Sequence, residues 1–212
     1  MILLNHNPIF PPVHFADAQG ILAIGGDLSA ERLLEAYKNG IFPWFDPGTE
    51  PLWWAPPHRM VVFPEQYKPH KSVAALMRKG VFQITFNKQF EAVIRSCQQV
   101  KRQYEDSTWI SDDIVNAFLE LHLLGYAKSV EVWQNNELVG GLYGIDLGHV
   151  FCGESMFHTV SNASKVAFVW LIEKLKKENY QLLDCQVYNE HLAHLSAFEI
   201  DRADFMAILK GE

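Results

Sequence analysis

The stretch from Gly140 to Gln186 constrains this chain more than any other. There GGLYG (140–144) runs into FCGESMF (151–157), then NASK (162–165), a long apolar-rich segment and finally DCQ (184–186). A strand, a helix and a second strand in that order can lie with the two strands adjacent and parallel, the helix start beside the end of the first. Glu154 and Asp184 then come to neighbouring strands. Carboxylates at strand ends near a helix N-terminus are where chemistry is expected.

The flanking pattern extends this unit into a mixed sheet with helices. SVEVW (129–133), an Asn135-Asn136 turn and ELVGGLYGI (137–145) predict a hairpin, and a second turn near 146–148 leads into HVFCGESMF. Apolar Ile114, Val115, Phe118 and Leu121 recur at helical spacing after a Ser111 cap, with Gly125 as the stop. A helix is expected over 70–79, a strand over 81–87 and a helix to about Cys97, with a polar segment over 98–109. The crossover helix should span 163 to about 178 and its strand 181–187, with two short helices closing the chain.

Residues 1–62 have another texture. They hold eight of the ten prolines and three of the six tryptophans. One helix is clear, capped by Ser29 and stopped at Gly40. IFPWF (41–45) and PLWWAPPHR (51–59) read as extended, aromatic-rich loops. A small N-terminal domain over 1–62 and a larger one over 63–212 are therefore expected.

Composition narrows the function. With 49% hydrophobic residues the 212-residue chain can bury a large core, and its net charge of −7 argues against non-specific coating of nucleic acid while allowing a local basic patch. Cys97, Cys152 and Cys185 form no CxxC pair, so free thiols in a reducing, cytoplasmic compartment are expected. The start MILLNHNPIF has no basic n-region, and the purely apolar run 166–172 is too short to span a bilayer. EHLAH (190–194) reverses HExxH and has no evident third ligand, so no metal is expected. Cys152 beside His158 reads as a buried thiol rather than a nucleophile; His158 is left without a role.

The order of strands and the crossover resemble the acyl-transferring GNAT fold, an α+β arrangement. Its usual Gly-rich phosphate turn is replaced by HTVSNASK, which has no glycine. A CoA cradle is thus not expected, and no organic cofactor is either.

GGDLSAERLLEAYKNGIFPWF, WWAPPHR, TWI, SVEVW, LVGGLYG, FCGESMF, NASK and DCQ follow one another across nearly the whole chain. This ordered set resembles the bacterial leucyl/phenylalanyl-tRNA–protein transferases. The resemblance implies transfer of Leu or Phe, with Met a further candidate, from aminoacyl-tRNA to proteins beginning with Arg or Lys, which marks them for N-end-rule degradation. A small N-terminal domain with a GNAT-like C-terminal domain is expected, and a monomer, although the sequence does not itself fix the oligomeric state.

An aminoacyl ester is already activated, so its aminolysis needs a positioned, uncharged amine more than a covalent catalyst. Asp184 and Gln186 alternate on one strand and should project to one face. The resemblance implies that the Gln186 carbonyl accepts a hydrogen bond from the amine while Asp184 holds the amide and helps remove charge. The proton's route, through Asp184 or through the ribose, stays open. Glu154 near the cleft would favour a cationic acceptor. The family's apolar pocket implies roles for Leu142, Phe151 and Met156, and its adenosine site for Trp44 and Trp109. Lys71, Arg78 and Lys79 form a basic cluster that suits tRNA phosphates.

Two other readings stand beside this one. A GNAT acetyltransferase is disfavoured by the missing phosphate loop. A non-catalytic tRNA or N-degron binding module would have no need for Asp184 and Gln186 together.

Overall fold

A computed structural model describes residues 2–100 and 108–211, so part of the polar segment expected over 98–109 lies outside the described residues. In chain order the elements are β1 (Ile2–Leu4), β2 (Ile21–Gly25), α1 (Ala30–Lys38), β3 (Phe42–Pro43), β4 (Leu52–Trp54), β5 (His58–Val62), α2 (Lys71–Lys79), β6 (Gln83–Phe86), α3 (Phe90–Gln99) and α4 (Asp112–Leu123). The hairpin strands β7 (Ala127–Gln134) and β8 (Glu137–Asp146) follow, then β9 (Val150–His158), α5 (Ala163–Lys177), β10 (Leu182–Gln186), α6 (Glu190–Ala193), β11 (Phe198–Asp201) and α7 (Arg202–Lys210).

Seven strands form one mixed sheet in the order β11-β5-β10-β9-β8-β7-β6. β9 and β10 pair in parallel, Asp184 opposite Cys152, and the other neighbours are antiparallel. The crossover expected from the sequence is therefore present. Asn135 and Asn136, both at positive φ, make the β7–β8 turn in the conformation that suits a twisted hairpin. The Ser29 and Ser111 side chains each accept a backbone N–H at a helix start, as expected.

Successive residues of the central strands bury on opposite faces. Val61, Leu182, Cys152 and Tyr143 enter one apolar cluster with α1, α3, α4 and α7; Val62, Leu183, Phe151 and Leu142 enter another with α2 and α5. Helix α5 lies almost on the β8 backbone: a Cβ at Gly140 would stand 2.6 Å from that of Ala163, so only glycine allows this approach. Packing this close fixes the helix start relative to β9.

Prolines hid part of the fold. The segments read as loops contribute β3, β4 and β5, and β1-β2-β4-β3 form a second, four-stranded sheet. Pro56 and Pro57 end β4 and leave β5 free to run into the larger sheet, so the expected boundary at 62/63 falls at the end of a strand of that sheet. The short edge strand β11 also lacked a pattern long enough to see.

Candidate active site

Two bulges make the site. Along β9, Ser155 pairs with Tyr143 and Gly153 with Gly144, so Glu154 is an extra residue in that strand. Along β10, Asp184 pairs with Val61 and Gln186 with Met60, so Cys185 is extra. Bulges bend strands and re-aim side chains. Beyond the Asp184–Cys152 pair the two parallel strands have no further partners on each other, and a cleft opens there.

The bulge changes the expected relation of Asp184 to Gln186. Plain alternation would put both side chains on one face, but Gln186 sits at φ +65° and the pair diverge. Asp184 is fully buried and outside the cleft lining. Its carboxylate takes a two-pronged contact from Arg59, Nε to Oδ1 at 2.8 Å and Nη2 to Oδ2 at 2.7 Å, and accepts the Gln186 backbone N–H at 2.8 Å. It does not hold the Gln186 side chain. That amide donates through Nε2 to Glu154 Oε1 at 2.6 Å. One carboxylate thus holds the backbone of Gln186 and the other its side chain.

Arg59 is 2% exposed and lies between the rings of Phe42 and Phe205, with its third contact to the Gly40 carbonyl. Burial opposes its charge, but Asp184 beside it raises its pKa further. Within WWAPPHR no residue singled out Arg59, because nothing local shows that its partner is 125 residues away.

Burial pushes the Glu154 carboxyl up to about 8; Asp184 adds to the rise, while Tyr37, Gln186 and Arg59 oppose it. Protein surrounds the group closely, yet part of the residue stays open to the cleft, so its charge is discouraged rather than forbidden. The Tyr37 hydroxyl, buried on α1, makes no well-formed hydrogen bond among the described residues but faces Glu154 closely enough to favour the carboxylate. Burial, then Glu154, raises the tyrosine's own pKa. Cys152 is buried and its thiol pushed up, first by burial, as an inert core thiol should be.

The cleft encloses about 570 Å³, the range of a small-ligand site. Trp44 and Trp109 line it, as do Leu142 and Met156, which face each other across β8 and β9. Phe151 does not: it is 1% exposed and packs in the same apolar cluster that Met156 borders, but further back along β9, opposite Asp146 and Leu183 and away from the cleft end of the strand. Phe168 and Leu171 on α5 and Leu183 on β10 supply apolar wall that strand alternation alone did not reveal. Their signal was the spacing of 168 and 171 on one helix face. Lys71, Arg78 and Lys79 are exposed on α2, away from the lining.

A family model described as leucyl/phenylalanyl-tRNA protein transferase matches residues 61–210, and one for the N-terminal domain of the same proteins matches 26–57. The chain belongs to the leucyl/phenylalanyl-tRNA protein transferase family. A leucyl/phenylalanyl-tRNA–protein transferase of Flavobacterium johnsoniae is 59% identical over the whole of both chains. One of Syntrophobacter fumaroxidans is 52% identical over 97% of this chain and 88% of its own. Among solved structures, a GCN5-related N-acetyltransferase-like protein from Streptococcus suis aligns over 78% of this chain and 63% of that one, at 12% identity and a TM-score of 0.38. The protein is an aminoacyltransferase that moves leucyl or phenylalanyl groups from tRNA to protein.

Proposed function

We propose that transfer takes place in this cleft, in the cytoplasm and on a monomer, with proteins beginning in Arg or Lys as acceptors destined for N-end-rule degradation. One observation carries the reading. Because the Gln186 amide nitrogen is spent on Glu154, its carbonyl oxygen is left to the cleft with no partner among the described residues. An oxygen fixed that way accepts a hydrogen bond from an α-amine and aims its lone pair at an ester carbonyl. The new C–N bond replaces the ester C–O bond, and the proton ends on the ribose oxygen that leaves.

Asp184 has no access to the amine and acts through Gln186 as a positioning residue. Trp44 and Trp109 present indole faces on which the terminal adenosine can stack, at about 1–3 kcal/mol per base. Leu142, Met156, Phe168, Leu171 and Leu183 take the aminoacyl side chain, with Phe151 behind them as support. A cationic acceptor beside Glu154 pulls its carboxyl toward the charged form, so attraction develops as the acceptor enters. Labelled Leu-tRNA and an Arg-initiated peptide test the whole reading: label should enter that peptide and not one beginning with Gly. Equal labelling of both, or none, would overturn it.

The pocket rests on volume. Met156→Trp should disfavour Phe over Leu by about 1–3 kcal/mol in relative kcat/KM; equal losses would place Met156 outside it. The basic face of α2 is proposed to meet tRNA phosphates, Lys71 and Arg78 being two turns apart. Lys71→Ala with Arg78→Ala should flatten the salt dependence of donor affinity by about 0.7–0.9 in log–log slope per lost contact. Use of an aminoacyl-adenosine, too short to reach α2, should be unchanged. Loss with both donors would assign the helix to folding instead.

A further inference from the structure

Groups to which the sequence pattern assigns no role meet at the cleft. His158 at the end of β9 and His191 on α6 both line it, and His194 lies one turn beyond His191. Lys165, in the first turn of α5, and His158 and His194 are all near enough to His191 to lower its pKa, after burial itself. Among the described residues none of the four has a carboxylate at ion-pairing distance. In a chain with 25 acidic residues against 18 basic, four cation-capable groups from three elements, three of them exposed and Lys165 half-buried, stand together without a counter-ion and offer an open place for an anion.

We infer that His158, Lys165, His191 and His194 form a subsite for one phosphodiester of the donor strand, the phosphate on the 5′ side of the terminal nucleoside. The inference rests on the proposed placing of that nucleoside between Trp44 and Trp109. If it lies there, the strand must leave the cleft through this phosphate, which is the first anion outside the ring stack. The groups suit it. Ser164 Oγ lies 3.1 Å from His158 Nδ1, and with the hydroxyl donating, the ring proton sits on Nε2 and is free to donate. Ser164 is itself buried, so this histidine is held by the first turn of α5. The positive end of that helix adds to the field. The turn before α5 has no glycine, its left-handed position being taken by Asn162, and a single phosphate held by side chains does not need the glycine-rich backbone cradle that a pyrophosphate uses.

A pair of small donors separates this subsite from the transfer site itself. For the native protein, 3′-phenylalanyl-adenosine bearing a 5′-phosphate should show a KM about three- to tenfold below that of the unphosphorylated donor. Lys165→Ala with His194→Ala, neither of which lines the cleft, should erase that ratio and leave KM and kcat for the unphosphorylated donor as they were. Calorimetric affinities of adenosine 5′-monophosphate and adenosine give the same comparison without turnover. Failure of both donors to react would remove the proposed transfer site, while the calorimetric ratio would still judge the subsite. Equal KM and equal affinity with and without phosphate, or a ratio that survives the double variant, would overturn the inference. So would a double variant that instead raised KM only for peptides with Asp or Glu in second place, which would assign the cluster to the acceptor.

Discussion

Asp184→Ala is expected to cost about 3–5 kcal/mol of folding free energy along with nearly all transfer, because it leaves the Arg59 guanidinium charged and buried between two rings. Among the described residues the Gly40 carbonyl would then be its one remaining hydrogen-bond acceptor. Urea unfolding measures the first loss, and turnover at saturating donor the second. A double variant separates them. Arg59→Met with Asp184→Leu replaces the ion pair by apolar side chains, an exchange that is often close to neutral for stability. It should recover much of the lost stability. It should not recover transfer, because the Gln186 N–H still has no acceptor and the bulge that aims its side chain is no longer held. Recovery of both together would reduce Asp184 to a folding residue.

This division of labour shows how far the sequence could be read. Helices with a cap and a stop, such as α1 and α4, were legible because the signals lie within a few residues of each other. So were the hairpin and the crossover, and with them the adjacency of Glu154 and Asp184, since a parallel pair follows from strand–helix–strand order. The orientation of the two key side chains was not. Period-2 alternation assumes an unbroken ladder, and a bulge at Cys185 sends Gln186 to the other side. The extra residue at Glu154 likewise shifts the phase of β9, so that Phe151 and Met156 share a face that plain alternation would divide; what keeps Phe151 from the cleft is its depth along the strand, which no local pattern reports. Arg59 was beyond reach for another reason, because β5 joins β10 only through a pairing of strands far apart in the chain. The cluster of His158, Lys165, His191 and His194 on β9, α5 and α6 was likewise visible only as an unexplained histidine and a rejected metal motif.

Gln186 gives the second large effect, and its sign on stability is opposite to its effect on activity. A glutamine at φ +65° stores about 1–2 kcal/mol of backbone strain that glycine would not. Gln186→Gly should therefore leave stability unchanged or raise it, while cutting kcat on the order of 10²–10³-fold through loss of the oxygen proposed to meet the amine. Donor binding, which the proposed site assigns to the tryptophans and the apolar wall, should hardly move. A stability loss with proportional loss of activity would mean that the strain serves only the fold. The partner of the amide adds a pH signature. Glu154 is raised from 4.5 to about 8, so its favourable contribution to folding is complete below about 4.5 and is lost as pH rises through 8. Glu154→Gln removes that titration. The variant should gain stability relative to the native protein as pH climbs from 5 to 9, and an inflection near 8 in kcat/KM for an Arg-initiated peptide should vanish with it. The two effects are linked, because the same ionisation that weakens the fold strengthens the hold on the Gln186 amide and, in the proposed site, on a cationic acceptor. An inflection that persists in Glu154→Gln would locate the titrating group elsewhere, in the α-amine of the acceptor itself.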